Sequence, residues 1–451
     1  MNHLKTLRPA AFALLGVLGL TLSSAHAQIT VNMQQNPINA SGALRNGLAP
    51  YLFGGQAAPS QQAANQFVAI YSAISPDPAA LLNNVPNADE FDLNVDPVLG
   101  AQLFNQVTPG LYTVLPTILF NSANIQNTQI QQRLWAVRAG MASDSRVSDG
   151  QGDGNSASLQ GKKVVAPAVE ADQKWVTFVD GNGIWSQAQS INNLPGYNTY
   201  GGGVQIGASR EITKDLSFGP YIGYQGTRVS YNTINGGNSA ATLNSLRYGL
   251  FSEFRKGGWY TDGIIGGAYN SANVTHGYNI PGYSAQANGT TAGGEFDTML
   301  GTGYEFKAGK LTFGPMSSLQ YTYLQLGSVS EKNAGILNQN INSQNAASVL
   351  GTLGGQAHYD INLTQSVILQ PYGSFAWQHE FMQNNYNVGS QILGQNYNFQ
   401  TMNPGRDQFI AAIGGNLVFS KSVSAYAVCN LINGDQKIFS QAISGGINWK
   451  F

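Results

Sequence analysis

Charged side chains are scarce in this chain. Asp, Glu, Lys and Arg make up only 10% of its 451 residues, and the formal net charge is -1. Soluble domains carry roughly 25% of these residues, so the chain has less than half the usual means of covering a water-facing surface with charge. The near-neutral balance also removes any general electrostatic basis for binding nucleic acid. Cysteine is limited to Cys429, which excludes an internal disulfide; the fold must hold without cross-links. After the first 27 residues no stretch approaches the roughly 20 apolar residues of a membrane-spanning helix. Histidine beyond the leader is confined to His276, His358 and His379. What the chain has in quantity is glycine, 54 residues, and aromatic residues, 10%. That combination leaves a low-complexity secreted protein or a transmembrane β-barrel, whose apolar residues are dispersed by alternation.

The amino terminus reads as a secretory signal. Lys5 and Arg8 precede an apolar run from Ala10 to about Leu22, and Ala25-His26-Ala27 forms a small-x-small cleavage site. Residues 1–27 are therefore expected to be removed, and the chain to leave the cytoplasm. A short, mainly helical segment is expected over 28–118, with helical spacing from about Pro59 to Gly140 and Pro116 starting or kinking the last helix. A linker region follows at 119–172, made of that helix and a Ser, Gly and Asp-rich stretch. A barrel is expected over 173–451.

From Lys174 onward the period is two. Twelve alternating segments lie near 174–187, 198–211, 215–231, 241–255, 258–272, 290–306, 310–326, 346–362, 366–382, 406–419, 422–431 and 438–451. In the sixth, Phe296, Thr298, Leu300, Thr302, Tyr304 and Phe306 share one face, while Glu295, Asp297 and Glu305 share the other. A row of carboxylates cannot face lipid, so it must face a polar interior. The closing "ISGGINWKF" alternates likewise, with Phe451, Trp449, Ile447 and Ile443 on one side. The connections also alternate, between tight turns such as "RKGG" and "KAGK" and long Asn, Gln and Gly-rich loops around 188–197, 232–240, 273–289, 327–345 and 383–405. An outer-membrane barrel has that asymmetry, with its short turns in the periplasm. The fold class expected is all-β: a twelve-stranded antiparallel transmembrane barrel preceded by a short, mainly helical segment whose last helix enters the pore.

"LQPYGSFAWQHEF" from Leu369, "GRDQFIAAIGGNLVFSKSVSAYA" from Gly405 and the final "QAISGGINWKF" resemble the autotransporter β-domain, the translocator of type V secretion. "LFNQVTPGLYTVLPTILFNSANIQNTQIQQRLWAVRAG" resembles the helical segment that precedes the barrel in many members of that family. The resemblance covers roughly 320 of the 451 residues. It implies a monomeric barrel in outer-membrane lipid, delivered by periplasmic chaperones, with the carboxyl-terminal signal of Phe451, Trp449 and Ile447 read by the barrel assembly machinery. It also implies that chain amino-terminal to the barrel passes through the lumen to the surface. Family passengers are typically hundreds of residues long, whereas only about 90 residues stand here between the signal and the linker helix, with no solenoid period in them.

Alternation directs Arg247, Glu253, Arg255, Asp262, Glu295, Asp297 and Glu305 inward, and the preceding helix carries Arg133 and Arg138. The expectation is that the helix plugs the pore and pairs these arginines with the inner carboxylates, set against hydrated lumen charges with no fixed partner. Catalysis is not expected. There is no G-x-S-x-G, His379 and Glu380 are strand neighbours facing opposite sides, and His276 falls in a long loop as a solvated side chain. Gly201 to Gly203 and Gly207 read as strand glycines, because no helix follows them to make a phosphate loop. Neither a zinc spacing nor an acidic calcium loop is present, so no metal or cofactor is expected. Two readings stay open: a translocator displaying its own amino-terminal segment, and a passive porin-like channel whose amino-terminal segment stays in the periplasm.

Overall fold

Alternating side chains and tight polar turns produce a single closed sheet. A computed structural model describes Gln106, residues 108–141 and, apart from short stretches at 191–194, 233–237, 281–282, 383–386, 401–404, 421 and 435–437, residues 175–451. The signal sequence, the helices expected before residue 106 and the 143–172 linker lie outside those residues. Twelve antiparallel strands form the wall: β1 (Trp175–Ala188), β2 (Gly196–Thr213), β3 (Leu216–Asn232), β4 (Ala240–Lys256), β5 (Trp259–Ile280), β6 (Tyr283–Tyr304), β7 (Leu311–Leu326), β8 (Gln344–Tyr359), β9 (Ile368–Glu380), β10 (Asp407–Val418), β11 (Val423–Gly434) and β12 (Ile438–Lys450). Each pairs with its sequence neighbours, and β1 pairs with β12 in a register running from Val176 opposite Lys450 to Ala188 opposite Ile438. No barrel strand is left with a free edge, as hydrocarbon surroundings require.

The outer face is apolar and the inner face polar. Val179, Val204, Ile222, Ile265, Leu300, Leu353, Ile413 and Ile443 stand exposed on the outside. Aromatic residues flank them at both ends, as Trp175 and Trp185 do on β1. Ten residues separate those two tryptophans, which on a strand tilted by about 40° spans roughly 25 Å, the height of a lipid-facing band. Trp449 and Phe451 belong to the belt at the short-turn end and are 61% and 69% exposed.

The ladder is interrupted where a proline removes a donor. Pairing of β6 with β7 stops at Gly303 opposite Met316 and resumes as Phe306–Ala308 against the start of β7, skipping Tyr304 opposite Pro315 and Glu305 opposite Gly314. A Cβ on Gly314 would collide with the Tyr304 carbonyl, so the close approach of β6 at this interruption requires glycine there.

Three of the loops expected from sequence carry strands instead. Strands β5 and β6 run far beyond the barrel rim, so the stretch 273–289 is a projecting hairpin in which Ala272, Val274, His276 and Tyr278 face inward and are buried. Its alternation is diluted by Asn, Ser and Gly, which is why it looks like a loop. The connections 327–343 and 383–406 contribute Val329–Ser330, Gln339–Ile341, Asn387–Ile392 and Gln395–Gln400 to a separate four-stranded sheet at the long-loop end. We call this sheet the lid.

Through the barrel runs α2 (Leu115–Met141), preceded by one helical turn, α1 (Gly110–Thr113). Pro116 stands at the second position of α2, where its missing N–H has no intrahelical role; it starts the helix rather than kinking it.

Candidate functional site

The site is the occupied lumen. A helix rich in Asn and Gln can be buried in a lumen only if its side chains find partners, and α2 finds them around the wall. Toward the long-loop end Asn121 Nδ2 donates to Ser186 Oγ at 3.3 Å, and one turn on Asn124 Nδ2 donates to Gln378 Oε1 at 3.1 Å. Asn127 Nδ2 donates to Asp297 Oδ1 at 3.1 Å, and Gln129 Nε2 to the Gly181 carbonyl at 3.2 Å. Gln132 Nε2 donates to Asn430 Oδ1 at 2.7 Å and its Oε1 accepts from Ser444 Oγ at 2.9 Å. These partners lie on β1, β6, β9, β11 and β12, so the helix is held from around the wall.

At the short-turn end Arg138 is the hub. Its Nη1 lies 2.8 Å from Glu253 Oε1 and 3.2 Å from Asp262 Oδ1, its Nε lies 3.2 Å from Glu305 Oε1, and its plane covers the Tyr260 ring at 3.8 Å. The cation sits in the last turn of α2, where it also opposes the negative end of the helix dipole. Among the last carbonyls that a helix leaves unsatisfied, that of Ala139 accepts from Gln370 Nε2 at 2.9 Å, and one turn earlier Asn416 Nδ2 donates to the Ala136 carbonyl at 3.0 Å. Arg138 thus joins three of the carboxylates that alternation turned inward.

The other expected pairs are distributed differently. Glu295 and Asp297 are neutralised from within the wall, by Arg247 of β4. Asn270 Nδ2 adds a bond to Glu295 at 2.9 Å. The helix reaches this group through the neutral Asn127 rather than through an arginine. Arg133 is fully buried, lies over Phe178 at 4.0 Å and Phe251 at 4.4 Å, and has no hydrogen-bond partner for its guanidinium among the described residues. Its strongest electrostatic partner is Asp180 on β1, also fully buried. Sequence reasoning overlooked Asp180 because it stands alone in a glycine-rich strand, although its inward parity was readable. A narrow polar cavity remains beside α2, lined by Gln131, Trp135, Thr302, Ser318, Gln356 and Gln378.

At the long-loop end the lumen turns apolar. Leu111, Tyr112, Leu115, Ile118 and Leu119 pack against wall residues such as Tyr197, Val229, Leu243 and Val274, and against Val329, Ile341, Val388 and Phe399 of the lid sheet. His276, expected as a solvated loop residue, is instead buried: its Nδ1 is 2.9 Å from Glu331 Oε1 and its Nε2 is 2.8 Å from the Gln106 carbonyl. The strands beneath the loop extend past it and bring it under the lid. Glu331 Oε1 also accepts from Tyr112 Oη at 2.9 Å, and Oε2 accepts from Tyr278 Oη at 3.2 Å and from the Gln339 amide at 3.0 Å. His379 meets Asp407 at 2.8 Å near the rim, while Glu380 turns the other way to Ser348 and to the Val349 amide at 2.8 Å.

The autotransporter β-domain family model matches residues 177–429. No curated protein matches the chain significantly. Among solved structures, the translocator domain of autotransporter NalP from Neisseria meningitidis superimposes with a TM-score of 0.51 at 13% identity, covering 73% of this chain and 98% of that one. The β domain of the Bordetella autotransporter BrkA gives 0.44 at 17% identity, covering 62% of this chain and 100% of the other. A family match over more than half of the sequence, together with a closed twelve-stranded wall around one helix, makes this chain a member of the autotransporter β-domain family of outer-membrane barrels.

Proposed function

We propose that this protein threads its own amino-terminal segment through its barrel and displays it at the cell surface. The observation that carries the reading is the polarity of α2. Gly140 lies beside Val418 and Asn416 at the short-turn end, where β1 also begins, whereas Gln106 contacts Asn279 and His276 beyond the opposite rim. If the short turns are periplasmic, chain before residue 106 starts outside and chain after residue 141 starts inside. The division that accompanies this reading is a signal at 1–27, an amino-terminal segment at 28–118 of which the part before Gln106 is displayed and the stretch from Gly110 sits in the lumen mouth, a helix and linker at 119–172 and the barrel at 173–451. Its partners are outer-membrane lipid, periplasmic chaperones and the barrel assembly machinery, which reads Phe451, Trp449 and Ile447.

The test uses a membrane-impermeant label on intact cells, with an epitope near Gln56 and a control epitope at the turn near Lys310. Labelling of the first alone is the expected result. If neither is labelled until the outer membrane is opened, the amino-terminal segment is periplasmic, and the protein is a channel or structural barrel instead.

A further inference from the structure

The lid sheet draws much of its core from outside itself. Its four strands are two to six residues long, and four of its buried apolar side chains, Val329, Ile341, Val388 and Phe399, share a cluster with the apolar end of the helical segment, while Ile392 and Tyr397 are buried outside that cluster. Such a sheet cannot fold alone, since short strands need a hydrophobic face packed on something. The cluster they join is built from wall residues such as Val274, Leu324 and Leu326 and is filled at its centre by Leu111, Tyr112 and Leu115, which arrive from outside the barrel sequence.

The polar contacts carry the same dependence. Glu331, whose connection leads into the lid, would keep His276, Tyr278 and Gln339 without the helix, but it would lose Tyr112. Gln106 satisfies His276 Nε2 and, through its own side chain, both backbone groups of Asn279. Gln344 Nε2 reaches the Tyr112 carbonyl at 3.4 Å, and Tyr231 Oη the Leu111 carbonyl at 2.8 Å. Emptied of the helical segment, this end of the barrel would present apolar side chains to a water-filled pore and leave several buried polar groups unpaired.

We propose that the lid is a docking site for residues 106–119 of this same chain and folds only around them, so that the long-loop mouth closes after the helix has taken its place in the lumen. The order of events rests on the threading reading above; the dependence of the lid on the helix does not. In an empty barrel the stretches 329–341 and 387–400 stand open and leave the exit clear. Arrival of Leu111, Tyr112 and Leu115 completes the core, the four strands assemble, and the seated helix is covered at the end from which it could otherwise slide out. The barrel wall and Arg138 hold the helix, and the lid locks it.

The experiment compares the full-length chain with its Leu111→Ser/Leu115→Ser double variant, which keeps Asn127, Gln132 and Arg138 to hold the helix in the lumen. Intact cells are treated with a broad-specificity protease, and cleavage within 327–343 and 387–400 is timed. The epitope near Gln56 is scored on a portion of the same cells that has received no protease. Cleavage follows the population of the open form, so the variant is expected to be cut at least about tenfold faster at those loops while its barrel keeps its heat-modifiable mobility. Equal cleavage rates in a folded variant overturn the proposal, because the lid would then stand without its core. If the double variant fails to assemble, Tyr112→Phe, which removes only the bond to Glu331, is read in the same way against the same two outcomes. The cleavage rates alone decide the lid; an unlabelled epitope overturns the threading reading instead.

Discussion

Arg138 on the helix and Glu253 on β4 meet across the lumen at 2.8 Å, both almost completely buried. The contact ties the last turn of α2 to the wall, and Asp262 and Glu305 share the same guanidinium. Removing one partner of a buried charge group is worse than removing the group, because the remaining ions keep their desolvation cost. Arg138→Met is therefore expected to destabilise the occupied barrel by about 3–5 kcal/mol. Adding Glu253→Gln and Asp262→Asn to Arg138→Met should recover most of that loss. Denaturant midpoints of the heat-modifiable band measure both, and a single variant as stable as the parent would show that the carboxylates are hydrated rather than held by the helix.

Deleting Asn121 to Gly140 tests the plug. A helix with its side chains is about 10–12 Å across, so its removal converts a narrow polar cavity into an aqueous channel. Single-channel conductance in planar bilayers is expected to rise sharply relative to the full chain. Equal conductance would mean that the helix leaves the pore in solution.

Much of this architecture is legible in the residues, and the exceptions have causes. The wall is readable because lipid outside and water inside impose opposite polarities on alternate positions, as Leu300 and Asp297 show on one strand. Partners across the lumen are not readable, because inward parity says that Glu295 and Arg247 face the same space but not that they choose each other over Arg133. The lid escapes notice for a third reason. Its strands are too short for a period to register, and His276 looks solvated because the residues that bury it, Gln106 and Glu331, are 170 and 55 positions away.

Gly289 of β6 makes a close approach that no other residue fits. A Cβ there would run into Tyr112 Oη and Val329 Cγ1, on opposite sides of the lid junction. Gly289→Val is expected to displace the lid while leaving the Arg138 group at the far end intact. Loop proteolysis should accelerate with little change in the denaturant midpoint of the barrel; a parallel fall in both would indicate that lid and wall unfold together.

Phe451 closes the barrel through its backbone, with its amide and carbonyl each paired to Trp175 at 3.0 Å, and exposes its ring to lipid. Because the ring lies at the membrane interface and only part of it leaves water on folding, Phe451→Ala should lower the stability of barrels already folded by only about 1–2 kcal/mol. If the ring is an assembly signal, the amount of barrel reaching the outer membrane should nevertheless fall several-fold. Fractionation of cells together with refolding in detergent separates the two effects, and unchanged membrane levels would remove the signal role.

Acid should open the lid before it opens the barrel. Burial alone would raise the pKa of Glu331, but His276, the Gln339 amide and the Tyr112 hydroxyl outweigh it and hold the carboxyl below the usual carboxylate range. A carboxyl whose folded pKa is depressed contributes stability that is fully present above its unfolded value, about 4.3, and is lost as pH falls through the lower folded value. Cleavage within 327–343 by an acid-active protease should therefore accelerate as the pH drops below about 4. In Glu331→Gln, which keeps a neutral acceptor but has no proton to gain, cleavage should be faster at neutral pH and nearly flat with acid. A Glu331→Gln chain with the same acid dependence as the parent would assign the transition to other carboxylates and detach Glu331 from lid closure.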